Sequence, residues 1–125
     1  MKLLQRQEVE VFYVIPSLRR YLAIEMKKLS FKQKDIAKLL GIEEAAISQY
    51  IKGKRGNKIT FSSEIASEIK TSAGLIKDKI SLLREMQKLM RRINESCEIC
   101  RIHKEVCEVP AECEPGLINC FEIRK

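Results

Sequence analysis

Apolar residues recur along the first quarter of the chain at spacings of three and four, the period of one face of an α-helix. The pattern runs over about five turns and consists of Val11, Ile15, Leu18, Leu22, Met26 and Leu29. Pro16 interrupts it, and proline fits best into the first turn of a helix. The stretch Val9–Ile15 is rich in β-branched and aromatic side chains, which also allows a short strand. We favour a kinked or two-part helix over a strand for residues 8–15.

A capping signal and a glycine bound the next predicted helix. Ser30 stands three residues ahead of a glutamine and before an apolar run, which predicts a capping box and a helix that begins just after Ser30. Gly41 is expected to end this helix, because glycine readily adopts the left-handed conformation found at helix C-termini. A third helix follows over about residues 43–51, and it is expected to bury Ile47 and Ile51, which lie four residues apart.

Two more helices are predicted in the second half of the chain. One begins near Ser62 or Ser63 and ends before Gly74. The other is the longest, from about Leu75 to Ser96, and its roughly 22 residues would span about 33 Å. Its apolar stripe comprises Ile76, Ile80, Leu83, Met86, Met90 and Ile93, flanked by Leu82 and Leu89. Because this face is wider than one small bundle is expected to cover, we predict a homodimer interface here, with packing inside one chain as the alternative.

The charge of the chain is concentrated in its first half. The 125 residues carry 24 basic and 17 acidic side chains, a net charge of +7. Residues 1–58 hold 13 basic and 6 acidic groups, so this segment alone has an excess equal to the whole net charge. An excess of this kind points to a polyanionic partner, although a merely solvated basic surface is the simpler alternative.

The pair of helices within residues 31–51 also has the residue pattern of a tight crossing. Ala37 is small where the two helices would approach most closely, Gly41 lies at the turn, and Ile47 can pack the second helix onto the first. The pattern resembles the helix-turn-helix of the phage-repressor superfamily, the Cro/repressor-like or xenobiotic-response-element type. The matching positions are Gln33, Ala37, Gly41, Ile47 and Ile51, together with the exit loop Lys52-Gly53-Lys54-Arg55. The resemblance covers about residues 17–74, and the whole chain is similar to archaeal regulators that join such a domain to a cysteine-rich tail.

The resemblance implies roles for individual residues. It places the third helix in the major groove of double-stranded DNA, with its solvent face reading bases. That face would comprise Glu44, Ala45, Ser48 and Gln49. Gln33 matches a family position that touches phosphate, and further phosphate contacts would come from Lys52, Lys54, Arg55 and Lys58. Glu44 departs from the family pattern, which has a neutral polar residue there. The alternative is a helical pair that serves only as a scaffold.

All five cysteines lie in the last 29 residues, at Cys97, Cys100, Cys107, Cys113 and Cys120. An odd number of cysteines without a secretion signal argues for metal or redox chemistry rather than a disulfide framework. Four thiolates, from the first three and either of the last two, suit zinc and an iron–sulfur cluster equally well. Free thiols or disulfides are the remaining alternative. His103 is expected to lie beside the site or at the surface. The metal could make the protein responsive to redox conditions or metal supply, or it could only stabilise the fold of the tail.

These predictions combine into an all-α protein with five helices. Residues 1–74 form a repressor-like DNA-binding domain with its helix-turn-helix at about 31–51, residues 75–96 form the long dimerisation helix, and residues 97–125 form a metal-stapled tail. The predicted function is a cytoplasmic, dimeric, sequence-specific regulator of transcription without a membrane span. No catalytic triad, carboxylate pair or phosphate-binding loop is readable, so we expect no enzymatic activity. The alternatives are an RNA-binding or antitoxin-like module and a small redox or iron–sulfur protein.

Overall fold

The fold is taken from a computed structural model, which describes residues 4–96 and 98–106. Over these ranges the regular structure is entirely helical, which confirms the all-α fold class. In chain order the elements are α1 (Arg6–Val9), a π-helical segment (Glu10–Val14), α2 (Ile15–Lys28), α3 (Gln33–Leu40), α4 (Glu44–Ile51), α5 (Ser63–Ala73), α6 (Lys79–Glu95) and α7 (Glu98–Val106). None of the helices in this part of the chain combines the length and the apolar character that crossing a membrane requires.

The first helical run has two parts, as predicted, and the strand alternative is wrong. The wider π-helical turn of Glu10–Val14 joins α1 to α2, and Pro16 stands in the first turn of α2. Proline has no backbone N–H and cannot complete the regular α-helical ladder. A π-turn placed just before it lets the chain continue as a helix, so the β-branched residues of this stretch do not form a strand.

The end of α2 corrects the predicted capping box. Ser30 has a φ of +74°, and its backbone N–H donates to the carbonyl of Lys27 at 3.0 Å while that of Phe31 donates to Met26 at 3.1 Å. These two bonds close a helix C-terminus in a Schellman motif. Ser30 therefore ends α2 and does not cap α3, which begins at Gln33 without a side-chain cap. A serine in a left-handed conformation is uncommon. The wrong prediction arose because serine is also a common N-cap residue.

The pair formed by α3 and α4 follows the prediction closely. Gly41 has a φ of +68° and ends α3, and α4 runs from residue 44 to 51 against the predicted 43–51. One expectation about burial is wrong: Ile47 is buried, but Ile51 is only half-buried and Tyr50 takes the deeper position. Both α3 and α4 pack against α2 and against each other, and this three-helix unit forms one side of the core.

The predicted start of the longest helix is wrong by four residues. Helix α6 begins at Lys79, because Asp78 accepts a hydrogen bond from the backbone of Ser81 and the Ser81 hydroxyl accepts one from the backbone of Asp78. This is a reciprocal capping arrangement of the kind that starts helices. The backbone and side-chain hydrogen bonds from Ser81 hold the pKa of Asp78 below its usual value. The end of the helix at Glu95 and the bounds of α5, Ser63–Ala73, agree with the predictions.

Burial on α6 follows only part of the predicted apolar face. The flanking residues Leu82 and Leu89 lie in the core together with Ile93, whereas Ile80 and Leu83 of the predicted stripe are 67% and 63% exposed, so the predicted centre of the buried side is wrong. The buried side points toward α3, α5 and α7, so the helix packs against its neighbours with one stripe and leaves the residues beside that stripe exposed to solvent.

The core also extends beyond the predicted body. Ile99 and Ile102 of α7 are fully buried in the same cluster as the apolar residues of α1 and α6. Residues 98–106 therefore belong to the packed domain, because their apolar side chains repeat at a helical spacing on the face that meets it. The rest of the predicted cysteine-rich tail, residues 107–125 together with Cys97, lies outside the described residues.

Candidate nucleic-acid interface

Helix α4 has a buried side and a polar side. Ile47 and Tyr50 are buried against α2 and α3, which fixes the rotation of the helix about its own axis. The opposite side carries the four predicted base-reading residues: Glu44, Ala45 and Gln49 are exposed and Ser48 is half-buried. Because the buried positions are packed inside the core, the four side chains are presented on a rigid element.

Helix α3, which packs against α4, carries a second set of polar groups. The predicted phosphate contact, Gln33, is the first residue of α3 and is half-buried. Lys34 and Lys38 lie on the exposed side of the same helix, one turn apart, and the sequence interpretation missed both. Their spacing of four residues on a predicted helix was the signal that could have identified them as a basic pair.

The basic loop, residues 52–58, leaves the C-terminus of α4 in a defined conformation. The backbone N–H of Gly53 donates to the carbonyl of Tyr50 at 3.1 Å, and that of Lys54 donates to Gln49 at 2.8 Å. Farther along, the side-chain amide of Asn57 donates to the carbonyl of Gly53 at 2.6 Å. These bonds hold the loop as a compact turn, with the backbone of Lys54 tied to the last turn of α4.

Helix α2 contacts the basic loop and the C-terminus of α4. At Gly56, where φ is +70°, a Cβ atom would lie 2.5 Å from the carbonyl oxygen of Pro16, so only glycine fits. The Nε of Arg20 donates to the carbonyl of Tyr50 at 3.2 Å, which places a positive charge at the negative C-terminal end of α4. The Arg55 guanidinium lies 5.9 Å from the centroid of the Tyr50 ring. Sequence reasoning missed Arg20 and Tyr50, because neither contact follows from periodicity.

The basic side chains of this surface are available to a ligand. Those that are exposed are Lys34, Lys38, Lys52, Lys54, Arg55 and Lys58, and none of them forms an ion pair with another described residue. Elsewhere in the described part of the chain, two arginines form ion pairs, Arg92 with Glu64 and Glu68 and Arg101 with Glu98 and Glu105. The acidic groups at the interface, Asp35, Glu43 and Glu44, stand in or just before the first turns of α3 and α4, where they favour the helices.

The predicted metal ligands are only partly visible. Cys100 lies half-buried on α7, and Cys97, Cys107, Cys113 and Cys120 lie outside the described residues. His103 is on the same helix, where a ring nitrogen lies 2.8 Å from the carbonyl oxygen of Leu4. Among the described residues no three histidine, cysteine, aspartate or glutamate side chains are grouped to hold a metal. The metal site therefore stays a prediction.

No protein-family model, curated protein or solved structure matches this chain. The surface formed by α3, α4 and the basic loop is therefore characterised by its own geometry and charge.

Proposed function

We propose that this protein is a sequence-specific regulator of transcription that binds double-stranded DNA with α4 in the major groove. One observation carries the proposal: α4 presents a polar face that no other described element covers, and it continues at its C-terminus into a loop of basic residues that form no ion pair with the described part of the chain. The unit formed by α3, the turn and α4 is then a helix-turn-helix of the repressor type.

The four residues on the polar face of α4 have side chains suited to reading bases. An α-helix of about 10–12 Å diameter fits a major groove about 12 Å wide. The Gln49 amide can form two hydrogen bonds with adenine, and the Ser48 hydroxyl can pair with more than one base edge. The Ala45 methyl can contact the methyl group of thymine, and the Glu44 carboxylate can accept from the amino group of cytosine. The carboxylate also repels phosphate, which restricts it to positions near the middle of the groove.

The basic loop and α3 would hold the DNA backbone. Lys52, Lys54, Arg55 and Lys58 can each neutralise a phosphate, which adds affinity and salt dependence but no sequence information. Gln33, at the first position of α3, would contact a phosphate across the groove. Phosphate contacts on both sides of α4 would fix the depth and angle at which the recognition face enters the groove.

The protein would act as a homodimer through α6. Ile80 and Leu83 are large apolar side chains that the described fold leaves more than three-fifths exposed, and contact with a second copy would remove them from water. A symmetric dimer would place two α4 helices about 34 Å apart, one turn of the double helix, and so bind an inverted repeat.

The experiment is a selection from a random-sequence pool of double-stranded DNA with the wild-type chain. We expect enrichment of an inverted repeat with half-sites about 10 base pairs apart, centre to centre. A parallel selection with a pool of structured RNA tests the alternative polyanion. Enrichment of RNA sequences without enrichment of any DNA sequence would overturn the proposal, and so would a DNA pool that stays random.

A further inference from the structure

Helix α7 contacts the chain just beyond the basic loop. The residues that connect the loop to α5 are Ile59, Thr60, Phe61 and Ser62. We call this stretch the anchor segment. Ile59 and Phe61 are buried in the core, and the backbone N–H of Phe61 donates to the hydroxyl of Tyr21 at 3.2 Å. Two further polar backbone groups of the segment, the N–H of Ser62 and the carbonyl of Thr60, are bound by α7.

Glu98 binds the first of these groups. Its carboxylate, in a side chain that is only 8% exposed, accepts the backbone N–H of Ser62 at 2.9 Å. Ser62 is the N-cap of α5, and its hydroxyl accepts from the N–H of Ile65. In a capping box the side chain at Ile65 would return a bond to the backbone of the N-cap, which an isoleucine cannot do. Glu98 therefore supplies the missing half of the capping box from another helix.

Arg101 binds the second group. Its Nη2 donates to the carbonyl of Thr60 at 2.9 Å and to Glu98 at 2.7 Å, and its Nη1 donates to Glu105 at 2.6 Å. Burial disfavours the charged guanidinium, but the hydrogen bond with Glu98 and the charges of Glu98 and Glu105 outweigh it and raise the pKa of Arg101. The side chain is thus fixed at three points, one of which is the backbone of the anchor segment.

The anchor segment determines where the basic loop ends. Lys58 is the residue immediately before it, and Arg20, Asn57 and Gly56 fix the preceding part of the loop. Binding at Thr60 and Ser62 therefore limits how far the loop can move away from α4. A loop with a fixed conformation loses less conformational entropy when it binds than one that must first be ordered.

We propose that Glu98 and Arg101 are positioning residues for phosphate binding, which hold the basic loop in its binding conformation through the anchor segment. The inference rests on the proposed function, because it assigns a role to α7 in DNA binding by the same surface. Neither side chain needs to touch DNA.

The test compares two variants of full-length protein that lose the same charge on the same helix. Arg101→Gln breaks the bond to Thr60, whereas Lys104→Gln removes an exposed lysine three residues away. The probe is a 30-base-pair DNA duplex of arbitrary sequence, titrated over a range of salt concentrations. We expect Arg101→Gln to weaken binding by about tenfold and to lower the salt slope by about one unit, with Lys104→Gln close to wild type.

Two further measurements separate positioning from loss of the fold. Hydrogen exchange should show faster exchange at the amide of Ser62 in Arg101→Gln and in Glu98→Gln, with the amides of α2 unchanged. In addition, Lys54→Ala should cost less affinity in the Arg101→Gln background than in wild type, because a displaced loop no longer places Lys54 at a phosphate.

Equal affinities for Arg101→Gln and Lys104→Gln, with wild type binding the duplex, would overturn the inference and leave the proposed function standing. Additive effects of Lys54→Ala and Arg101→Gln would also overturn it. A wild-type protein that does not bind duplex DNA at low salt would instead overturn the proposed function itself.

Discussion

At the scale of single residues, the candidate interface depends on one close contact between the basic loop and α2. Gly56 lies against the carbonyl of Pro16, at a distance that excludes any side chain. Pro16 in turn stands in the first turn of α2, where a proline is well tolerated. The loop that carries four predicted phosphate contacts is thus held against the N-terminal part of the same helix that carries Arg20.

Replacing this glycine should destabilise the protein more than replacing the one that ends α3. Gly56→Ala combines a left-handed backbone with a clash against Pro16, whereas Gly41 has the same backbone conformation but no atom within 4 Å of an added Cβ. We expect Gly41→Ala to lower the free energy of unfolding by about 1 kcal/mol and Gly56→Ala by at least about 2 kcal/mol. Urea unfolding at neutral pH measures both. Equal losses in the two variants would contradict the contact.

The lysines of the basic loop should contribute to affinity for every DNA sequence alike. Lys54→Ala and Arg55→Ala are each expected to weaken binding to specific and arbitrary duplexes by the same factor and to reduce the salt slope by about one unit. Lys70→Ala, which removes an exposed lysine from α5, serves as the control of equal charge. The titrations are repeated over several salt concentrations. A loss confined to one sequence would assign base reading to the loop.

At the scale of elements, patterns that depend on neighbours in sequence were predictable and those that depend on tertiary contacts were not. The ends of α3 at Gly41 and of α5 at Ala73 agree with the predictions, because the deciding residues are adjacent. Ser30 was wrongly predicted to be an N-cap, because the sequence does not reveal that its backbone is left-handed. The burial of Tyr50 and the hydrogen bond from Arg101 to Thr60 depend on contacts with parts of the chain that are distant in sequence. The periodicity of apolar residues gives no information about such contacts.

The exposed apolar side of α6 leads to a prediction about assembly. Leu83→Lys should convert a dimer to a monomer at micromolar concentration without unfolding it, because the side chain is already 63% exposed in the single chain. Val11→Lys makes the same change in charge at another exposed apolar residue, on the π-helical segment, and should leave the dimer intact. Sedimentation velocity measures both variants. A wild-type protein that is monomeric with and without DNA would contradict the dimer.

At the scale of the whole molecule, the excess positive charge and the cysteines lie in different parts of the sequence. Helix α7 belongs to the cysteine-containing part and contacts the chain next to the basic loop. The basic half carries the surface that we propose binds DNA, and the described part of the acidic C-terminal segment is the helix that binds the anchor segment. The sequence predicted the two regions from composition alone. It did not predict that residues 98–106 would pack into the core, because a cysteine-rich tail of 29 residues was expected to depend on metal for its order.

The metal prediction is tested on protein purified without oxygen. We expect the double variant Cys97→Ser/Cys100→Ser to lose its bound zinc or iron, because it removes two of the four thiolates from the site. Cys113→Ser and Cys120→Ser are the controls, since only one of these two cysteines is needed for a four-thiolate site. Metal analysis and the visible absorption spectrum provide the measurement. Full metal content in the double variant would exclude the predicted ligands.

The central claim, that the exposed face of α4 reads DNA sequence, is tested most directly by a specificity ratio. The ratio compares the affinity for the duplex selected from the random pool with that for a shuffled duplex, for Gln49→Ala and for the control Gln87→Ala on α6. We predict that Gln49→Ala lowers the ratio by a factor that corresponds to about 1–3 kcal/mol, as does Ser48→Ala, and that Gln87→Ala leaves it unchanged. Equal weakening of both duplexes by Gln49→Ala would contradict the claim.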